Sequence, residues 1–204
     1  MRPILAVLLA YLIGSIPFGY LVVRLRLGAD IRQSGSGGTG ATNVSRRAGK
    51  AAGLVTLLLD AAKGVAAVLL AELIAQGLVS SLGWVVSAAG VAALLGHIFP
   101  VWLRFRGDKG VATGAGIMAV LAPVPVIVAA TAFLLTVILT RYVSLGSIVA
   151  AASLPIGVLI YSAIIEGSVD GPTLSLAVAG AILIIWAHRG NIARLRAGEE
   201  GRFR

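Results

Sequence analysis

The chain has 204 residues, of which 58% are hydrophobic and only 12% are charged. Its mean hydropathy is +0.99, and a water-soluble protein of this composition would expose far more apolar surface than soluble monomers do. The composition therefore excludes an ordinary soluble domain and predicts an all-α, polytopic integral membrane bundle, a single domain over 1–204. The absence of cysteine excludes a disulfide framework and a cysteine metal site.

The net charge of +9 has two interpretations. In a soluble protein it would suggest a nucleic-acid partner. In a membrane protein, lysine and arginine collect in cytoplasmic loops. We therefore expect no nucleic-acid partner and use the basic residues to assign the cytoplasmic side.

The first apolar run extends from Ile4 to Val23 and follows Arg2, as in a signal peptide. It is 20 residues long, which spans a bilayer of about 30 Å at about 1.5 Å per residue. No polar, small-residue cleavage region follows it, so we predict a retained helix.

Further apolar stretches continue the pattern, and one of them is ambiguous. The stretches are Ala51–Ala75, Gly83–Leu103, Val111–Thr140, Val143–Ile165 and Thr173–Ala187. The third has 30 residues, which is long for one span and short for two. Pro123 and Pro125 lie in its middle, where a proline ends or kinks a helix.

The distribution of charge favours two short helices in this stretch, around 111–122 and 124–140. With both helices counted, the four basic groups fall on one side of the membrane and the acidic connections on the other. The basic groups are Arg24–Lys50, Arg104–Lys109, Arg141 and the tail 188–204, and the acidic residues are Glu72, Glu166 and Asp170. We therefore predict seven helices, with the N-terminus outside and the C-terminus cytoplasmic.

A polar, glycine-rich segment, Ser34–Asn43, lies in the first basic connection, residues 24–50. Gly35, Gly37 and Gly40 have the spacing G-x-G-x-x-G, but a dinucleotide site requires a preceding strand, and a membrane helix precedes them here. Glycines permit positive φ and exposed N–H groups, which form anion-binding nests.

Thr42 or Asn43 is expected to cap the helix that follows, whose N-terminus would add a favourable dipole. A flexible loop is the alternative. The basic residues Arg46, Arg47 and Lys50 favour a phosphate site instead.

Two other basic segments, Arg104–Lys109 and His188–Arg196, are expected to converge on the same place. Arg104 and Arg106 are interpreted as topology signals. Lys109 lies at a helix start, which is unfavourable for the helix dipole, so we expect an anion nearby.

Five polar residues near or within the spans have alternative roles. His188 and Asn191, three residues apart, share a helix face and could contact a hydroxylated substrate, although His188 could equally be an interfacial polar residue. His97 could hydrogen-bond a neighbouring helix or act in chemistry. Asp60 and Lys63 are expected to form a structural pair inside a span, with a ligand role as the alternative. No spacing typical of a metal site is present.

Several uncommon strings occur in an order that resembles one family, the bacterial acyl-phosphate:glycerol-3-phosphate acyltransferases, and they extend through nearly the whole chain. The strings are Gly14–Gly19, Gly35–Asn43, Leu59–Gly64, Gly96–Val101, Lys109–Thr113, Arg141–Leu145 and His188–Ile192. The resemblance implies seven membrane helices in the bacterial cytoplasmic (inner) membrane and an active site at the cytoplasmic face.

The resemblance also implies the reaction and the partners. An acyl group passes from acyl phosphate to the 1-hydroxyl of sn-glycerol 3-phosphate, giving lysophosphatidate and phosphate in the first acylation step of phospholipid synthesis. Acyl phosphate, glycerol 3-phosphate and membrane lipid are the implied partners. No cofactor or metal is expected, and the protein is expected to be a monomer.

Roles for individual residues follow from the same resemblance. The loop Ser36–Asn43 would bind the phosphate of the acyl phosphate, and Arg46 and Lys109 would hold phosphate charge. Ser144, His188 and Asn191 would position the acceptor and the reacting carbonyl. The implied catalytic residues are Ser36, Lys109, His188 and Asn191, and the implied substrate-binding residues are Gly35, Gly37, Gly40, Thr42, Asn43, Arg46 and Ser144. The hydroxyl proton would pass to the substrate's own phosphate, with His188 as the alternative base.

Three positions depart from the family pattern. The family usually has asparagine where Gly38 stands, glycine where Asp108 stands and glutamate where Gly190 stands. Asp108 places a negative charge beside Lys109. It could weaken phosphate binding or pair with Arg106. Two alternatives to the enzyme stay open. One is an inactive paralogue, which Gly38 and Asp108 favour. The other is a carrier for phosphate-bearing solutes, although such carriers often have paired internal repeats and no repeat appears in this sequence.

Overall fold

The structure is a computed structural model that describes residues 1–78 and 80–202, with the backbone alone at position 166. Every regular element in these residues is helical, which confirms the predicted fold class. The α-helices are α1 Arg2–Gly14, α2 Phe18–Leu27, α3 Ala41–Ala48, α4 Lys50–Ala75, α5 Leu82–Ile98, α6 Val111–Leu121, α7 Pro123–Thr140, α8 Val143–Tyr161, α9 Gly171–Ala187 and α10 Arg189–Ala197. The chain packs as two compact units, residues 1–117 and residues from 118 onward.

The first apolar run is interrupted, so the prediction of one continuous helix from Ile4 to Val23 was wrong. Helix α1 ends at Gly14, and α2 begins at Phe18 directly after Pro17. Pro17 has no N–H to donate to a carbonyl one turn earlier, and its ring disfavours helical backbone at Ile16. The helix restarts at once and extends to Leu27, beyond the predicted end.

Small residues let α1 and α5 approach closely inside the first unit. A Cβ on Gly14 would overlap the carbonyl oxygen of Ala93, and a Cβ on Gly96 would overlap that of Tyr11. Close packing between small residues is a main source of helix association in lipid, because the hydrophobic effect does not drive helices together there. This contact fixes the end of α5 that leads to the Arg104–Lys109 segment.

A small hydrophobic core packs around the ends of the glycine-rich segment. Val23, Ile31, Val44 and Ala52 are almost fully buried and come from α2, a 3₁₀ turn, α3 and α4. Burial of such side chains stabilises by about 1.5–3 kcal/mol each for the larger ones. The predicted loop 24–50 is therefore a packed segment that contains a turn and a helix.

The second unit is built on α7, α8 and α9. Gly146 on α8 faces Phe133 of α7, whose carbonyl oxygen lies 3.0 Å from the position of an added Cβ. A bend of 54° at His188 separates α9 from α10. The basic tail 188–204 thus begins with a helix that leaves the direction of the span.

The predicted break in the stretch 111–140 is present, but only one of the two helices is short. Helix α6 has 11 residues and α7 has 18, with Ala122 between them. Pro123 and Pro125 occupy the first turn of α7, where backbone N–H groups have no helical partner in any case. The prolines therefore cost α7 nothing, and the expectation of a second short helix was wrong.

Among the residues that the structure describes, five segments are long and apolar enough to cross a membrane. They are Arg2–Leu27, Lys50–Ala75, Leu82–Leu103, Pro123–Thr140 and Val143–Ile165. The bent pair α9–α10 would be a sixth, and α6 is apolar but shorter. These lengths establish a polytopic membrane fold and leave the seven-helix count and the orientation as predictions.

Candidate active site

The glycine-rich segment forms a tight turn before α3. Gly35 and Gly37 have φ of 58° and 73°, in the left-handed region that glycine adopts without strain. The N–H of Gly37 donates to the carbonyl of Ser34 at 3.1 Å and closes the turn. Ser36, between these glycines, is exposed. The turn therefore presents the Ser36 hydroxyl outward from a packed base.

Asn43 braces this turn from within. Its buried amide nitrogen donates to the carbonyls of Ser34 at 3.0 Å and Gly38 at 2.8 Å. The amide oxygen lies where a Cβ on Gly35 would stand. A primary amide has two N–H hydrogens, and both are used across the turn.

The expectation that Thr42 or Asn43 caps the next helix was wrong. Gly40 is the N-cap of α3, so Thr42 and Asn43 lie inside the first turn. The Asn43 side chain instead reaches back to the turn, where its amide nitrogen donates to backbone carbonyls. The N-terminus of α3 still begins at the turn and directs its positive dipole end there. Arg46 lies exposed on the same helix.

The segment after α5 places Lys109 beside a carboxylate. Asp108 Oδ1 lies 3.8 Å from Lys109 Nζ, and both side chains are partly buried. The anion expected near Lys109 is therefore supplied, at least in part, by the chain itself. Asp108, Lys109 and the segment Gly35–Asn43 are called the loop cluster below.

A cavity of about 850 Å³ opens beside the turn. Its lining residues are Asp30, Arg32, Gln33, Ser36, Gly37, Trp102, Leu103, Arg104 and Arg106. Arg32 forms an ion pair with Asp30 at 2.6 Å, and its hydrogen bonds hold the pKa of the Asp30 carboxyl below its ordinary value. Arg104 and Arg106, interpreted from the sequence as topology signals, thus share a cavity with Ser36.

Three polar side chains meet at one carboxylate in the second unit. Ser144 Oγ and Asn191 Nδ2 each donate to Glu200 Oε1 at 2.7 Å, and Arg194 Nε donates to Oε2 at 2.7 Å. Ser144, Asn191, Arg194 and Glu200 are called the tail cluster. Burial favours the neutral acid, but the three hydrogen bonds prevail and hold the pKa of Glu200 below its ordinary value.

His188 lies at the junction of α9 and α10, one turn before Asn191. Its ring is buried, and Nδ1 lies 2.8 Å from the carbonyl oxygen of Ile184. A carbonyl can only accept, so Nδ1 carries the proton and a neutral ring has its lone pair on Nε2. This tautomer is the one a general base at Nε2 requires.

A buried polar network lies deeper in the first unit. Lys63 Nζ lies 2.7 Å from Asp60 Oδ1, the ion pair expected from their spacing. Thr113 Oγ1 donates to the backbone carbonyl of Asp60 and accepts from His97 Nδ1, both at 2.9 Å. His97 therefore bonds a neighbouring helix, which was one of its two expected roles. Among the described residues no group of three His, Asp or Glu side chains could hold a metal ion.

The expected residues divide between the two compact units. Ser36, Gly35, Gly37, Gly40, Thr42, Asn43, Arg46 and Lys109 belong to the first unit, and Ser144, His188 and Asn191 belong to the second. Sequence reasoning missed Glu200. The sequence shows it only as one of two adjacent carboxylates, Glu199 and Glu200, in a tail that is otherwise rich in arginine. Nothing in that pattern indicates which side chains Glu200 contacts.

The fold and these clusters define a class: a polytopic membrane protein whose apolar helices carry a basic, glycine-rich turn and a polar tail. The sequence pattern described as glycerol-3-phosphate acyltransferase matches residues 4–198. The chain belongs to the glycerol-3-phosphate acyltransferase family and is an acyltransferase. The family expected from the sequence is thereby confirmed.

Individual relatives cover nearly the whole chain. A glycerol-3-phosphate acyltransferase of Desulforamulus reducens is 45% identical over 191 residues, covering 94% of this chain and 90% of that protein. One of Myxococcus xanthus is 46% identical over 197 residues and covers 97% of each chain.

Two crystal structures of PlsY (YgiH), an integral membrane glycerol 3-phosphate acyltransferase, are also similar. The glycerol 3-phosphate form has a TM-score of 0.87 at 37% identity, covering 100% of this chain and 96% of that one. The lysophosphatidic acid form has a TM-score of 0.84 at 36% identity with the same coverage. A likeness this close over the full chain extends to the fold of both units.

Proposed function

We propose that this protein transfers an acyl group from an acyl phosphate to the 1-hydroxyl of sn-glycerol 3-phosphate, at the cytoplasmic face of a bacterial inner membrane. The observation that carries the proposal is the loop cluster, a glycine turn that leads into a helix N-terminus beside Lys109. The related crystal structures, described with glycerol 3-phosphate and with lysophosphatidic acid, support the acceptor and the product.

In this proposal the loop cluster binds phosphate. The turn from Gly35 to Gly40 offers backbone close to a ligand, and the start of α3 adds its dipole. Lys109 and Arg46 supply the positive charge that a phosphate dianion needs. Ser36 is the exposed hydroxyl of the turn and would donate to the same phosphate or to the reacting carbonyl.

The tail cluster would position the acceptor. Because the Ser144 hydroxyl hydrogen is directed at Glu200, the Ser144 oxygen is left to accept from a substrate hydroxyl. Asn191 keeps its amide oxygen as a further acceptor, since its nitrogen donates to Glu200. His188 lies one helical turn away, with Nε2 as its basic atom.

The reaction forms one bond and breaks one. The 1-hydroxyl oxygen attacks the acyl carbonyl carbon, a new ester C–O bond forms, and the C–O bond to the phosphate breaks. Phosphate is a good leaving group from this mixed anhydride, so positioning and charge stabilisation supply most of the acceleration and no cofactor is required. The hydroxyl proton passes to the departing phosphate, with His188 as the alternative acceptor.

The test is turnover by the purified protein. We would incubate it with palmitoyl phosphate and glycerol 3-phosphate and follow both phosphate release and lysophosphatidate. We expect equal amounts of the two products, and phosphate release only when the acceptor is present. Lysophosphatidate formation that fails with a well-folded protein would contradict the proposal.

A charge-removing variant tests the loop cluster in the same assay. We expect Lys109→Met to lower kcat/KM by about 100-fold, because one preorganised cation at the developing charge is lost. Arg26→Met is the control: it removes a positive charge from an exposed residue in the last turn of α2 that is not assigned to phosphate binding. Equal activities of the two variants would remove Lys109 from the mechanism.

A further inference from the structure

Asp108 is held in place by its backbone and lies against the glycine turn. The N–H groups of Gly107 and Asp108 donate to the carbonyls of Ile98 and His97, at 3.1 and 3.4 Å, so this segment is attached to the end of α5. The Asp108 side chain is only 19% exposed. A partly buried carboxylate at a phosphate-binding turn requires an explanation.

The carboxylate occupies the space that side chains at positions 38 and 40 would take. A Cβ on Gly38 would overlap Asp108 Oδ1, and a Cβ on Gly40 would overlap Oδ2 and stand 2.6 Å from Cγ. Neither glycine has a positive φ, so backbone conformation does not demand glycine at either position. The two glycines leave this space open, and the Asp108 carboxylate fills it.

The same carboxylate lies close to the residues assigned to phosphate binding. The Cβ position of Gly38 is 3.6 Å from Ser36 Oγ, and Lys109 Nζ is 3.8 Å from Asp108 Oδ1. Gly40 is the N-cap of α3, whose positive dipole end favours a carboxylate there. Asp108 therefore contacts the turn, the helix start and Lys109 at once.

We propose that Asp108 is a positioning residue: it replaces a side chain missing from position 38, and it holds the glycine turn and Lys109 in register. This inference rests on the proposed function of the loop cluster. It makes Gly38 and Asp108 a compensated pair, so the two departures from the family pattern offset each other.

A reciprocal exchange tests the pair. We expect Gly38→Asn alone to lose activity through overlap with Asp108, and Asp108→Gly alone to lose it because the turn is no longer braced. Each loss should be about tenfold or more, since small misplacements of binding groups have effects of this size. The double variant Gly38→Asn/Asp108→Gly should recover most of the wild-type kcat/KM. Ser80→Asn, at an exposed position between α4 and α5, is the control and should leave turnover unchanged.

Kinetics separate positioning from a general loss of folded protein. We expect Asp108→Gly to raise KM for palmitoyl phosphate about tenfold and to change KM for glycerol 3-phosphate by less than threefold. Asp108→Asn keeps the shape without the charge and should retain most of kcat. Failure of the double variant to recover, or an Asp108→Gly variant as active as wild type, would overturn the proposal. So would an Asp108→Asn variant with a much lower KM for palmitoyl phosphate, because the carboxylate would then be a competitor of the phosphate. Absence of turnover in the wild type would instead overturn the proposed function.

Discussion

Glu200 determines how two expected site residues present their polar atoms. One carboxylate oxygen accepts from both Ser144 and Asn191, and the other accepts from Arg194. The Ser144 hydroxyl hydrogen and one N–H of the Asn191 amide are thereby used inside the protein, and the oxygens of both side chains remain for substrate. A neutral residue at position 200 would free those donors to point elsewhere.

The charge of Glu200 also makes stability depend on pH. Its pKa in the folded protein is below the ordinary value of 4.5, so its stabilising contribution is complete above that value. As pH falls below 4.5 the unfolded chain takes up the proton first, and the contribution is lost through the folded-state pKa. We expect the difference in Tm between wild type and Glu200→Gln to be constant from about pH 6 to 7.5 and to shrink below about pH 4.5.

Glu199→Gln provides the control, because Glu199 is the exposed neighbour of Glu200. Thermal unfolding in detergent across the pH range is the measurement. A wild-type advantage that grows on acidification would show that the carboxylate is not held ionised by its three donors.

The interrupted first span explains why a lysine is buried in α4. The break at Pro17 leaves the Ile16 carbonyl without a helical partner, and Lys63 Nζ donates to it at 2.8 Å. In lipid an unsatisfied backbone group is expensive, and neighbouring helices supply the missing partner. Asp60, at 2.7 Å, then balances the lysine charge. The ion pair is thus part of what lets α1 and α2 be separate helices.

A double-variant comparison tests this structural role. We expect Lys63→Met to lower the free energy of unfolding by about 3–5 kcal/mol, because it leaves Asp60 as an unpaired buried charge. Asp60→Asn/Lys63→Met should regain part of this loss, since the charge is gone but the Ile16 carbonyl has lost the Lys63 donor and keeps only the N–H of Phe18 at 3.2 Å. Chemical unfolding in detergent measures both, with Lys50→Met on the same helix as the control.

The ligand alternative has a different signature. If Lys63→Met kept its unfolding free energy and lost only turnover, the pair would contact substrate instead of supporting the break. Measuring stability and kcat/KM on the same preparations separates these outcomes.

The hydrophobic runs and the charge pattern predicted the ends of helices correctly where local sequence determines those ends. The limits of α4 and α9 fall within a residue or two of their apolar runs, because polar residues end those runs. The break at Pro17 and the brace from Asn43 were missed for another reason. The donor to the Ile16 carbonyl, Lys63, lies 47 residues along the chain, and the Asn43 amide reaches back nine residues to Ser34, so no local propensity encodes either pair.

Residue types in the site were predictable, whereas their partners were not. Glycines, Lys109 and His188 are conspicuous in an apolar chain. The roles of Asp108 and Glu200 depend on which space or donor their carboxylates reach in the folded protein. Such information is absent from spacing, so the sequence predicted the chemistry of the site and left its internal bracing open.

At the scale of the whole molecule, α6 decides the topology. Its 11 residues extend about 16 Å at about 1.5 Å per residue, which is roughly half of a hydrocarbon core. If α6 crosses a locally thinned bilayer together with the full-length α7, every basic connection falls on the cytoplasmic side. If α6 does not cross, the C-terminal half of the chain is inverted and the tail cluster faces outward. The positive-inside rule favours crossing.

The absence of cysteine makes this orientation directly measurable, because each introduced thiol is unique. Four exposed positions report on four connections: Arg47, Ser80, Ser168 and Ala197. We expect a membrane-impermeant maleimide to label Ser80→Cys and Ser168→Cys in spheroplasts with an intact inner membrane. Arg47→Cys and Ala197→Cys should react only after permeabilisation. Arg47 and Ser80 precede α6, so their labelling calibrates the assay. The sides of Ser168 and Ala197 depend on whether α6 crosses the membrane. Exchange of labelling between Ser168→Cys and Ala197→Cys, with the other two variants unchanged, would mean that α6 is re-entrant. The tail cluster would then lie on the outer face, where cytoplasmic glycerol 3-phosphate could not reach it.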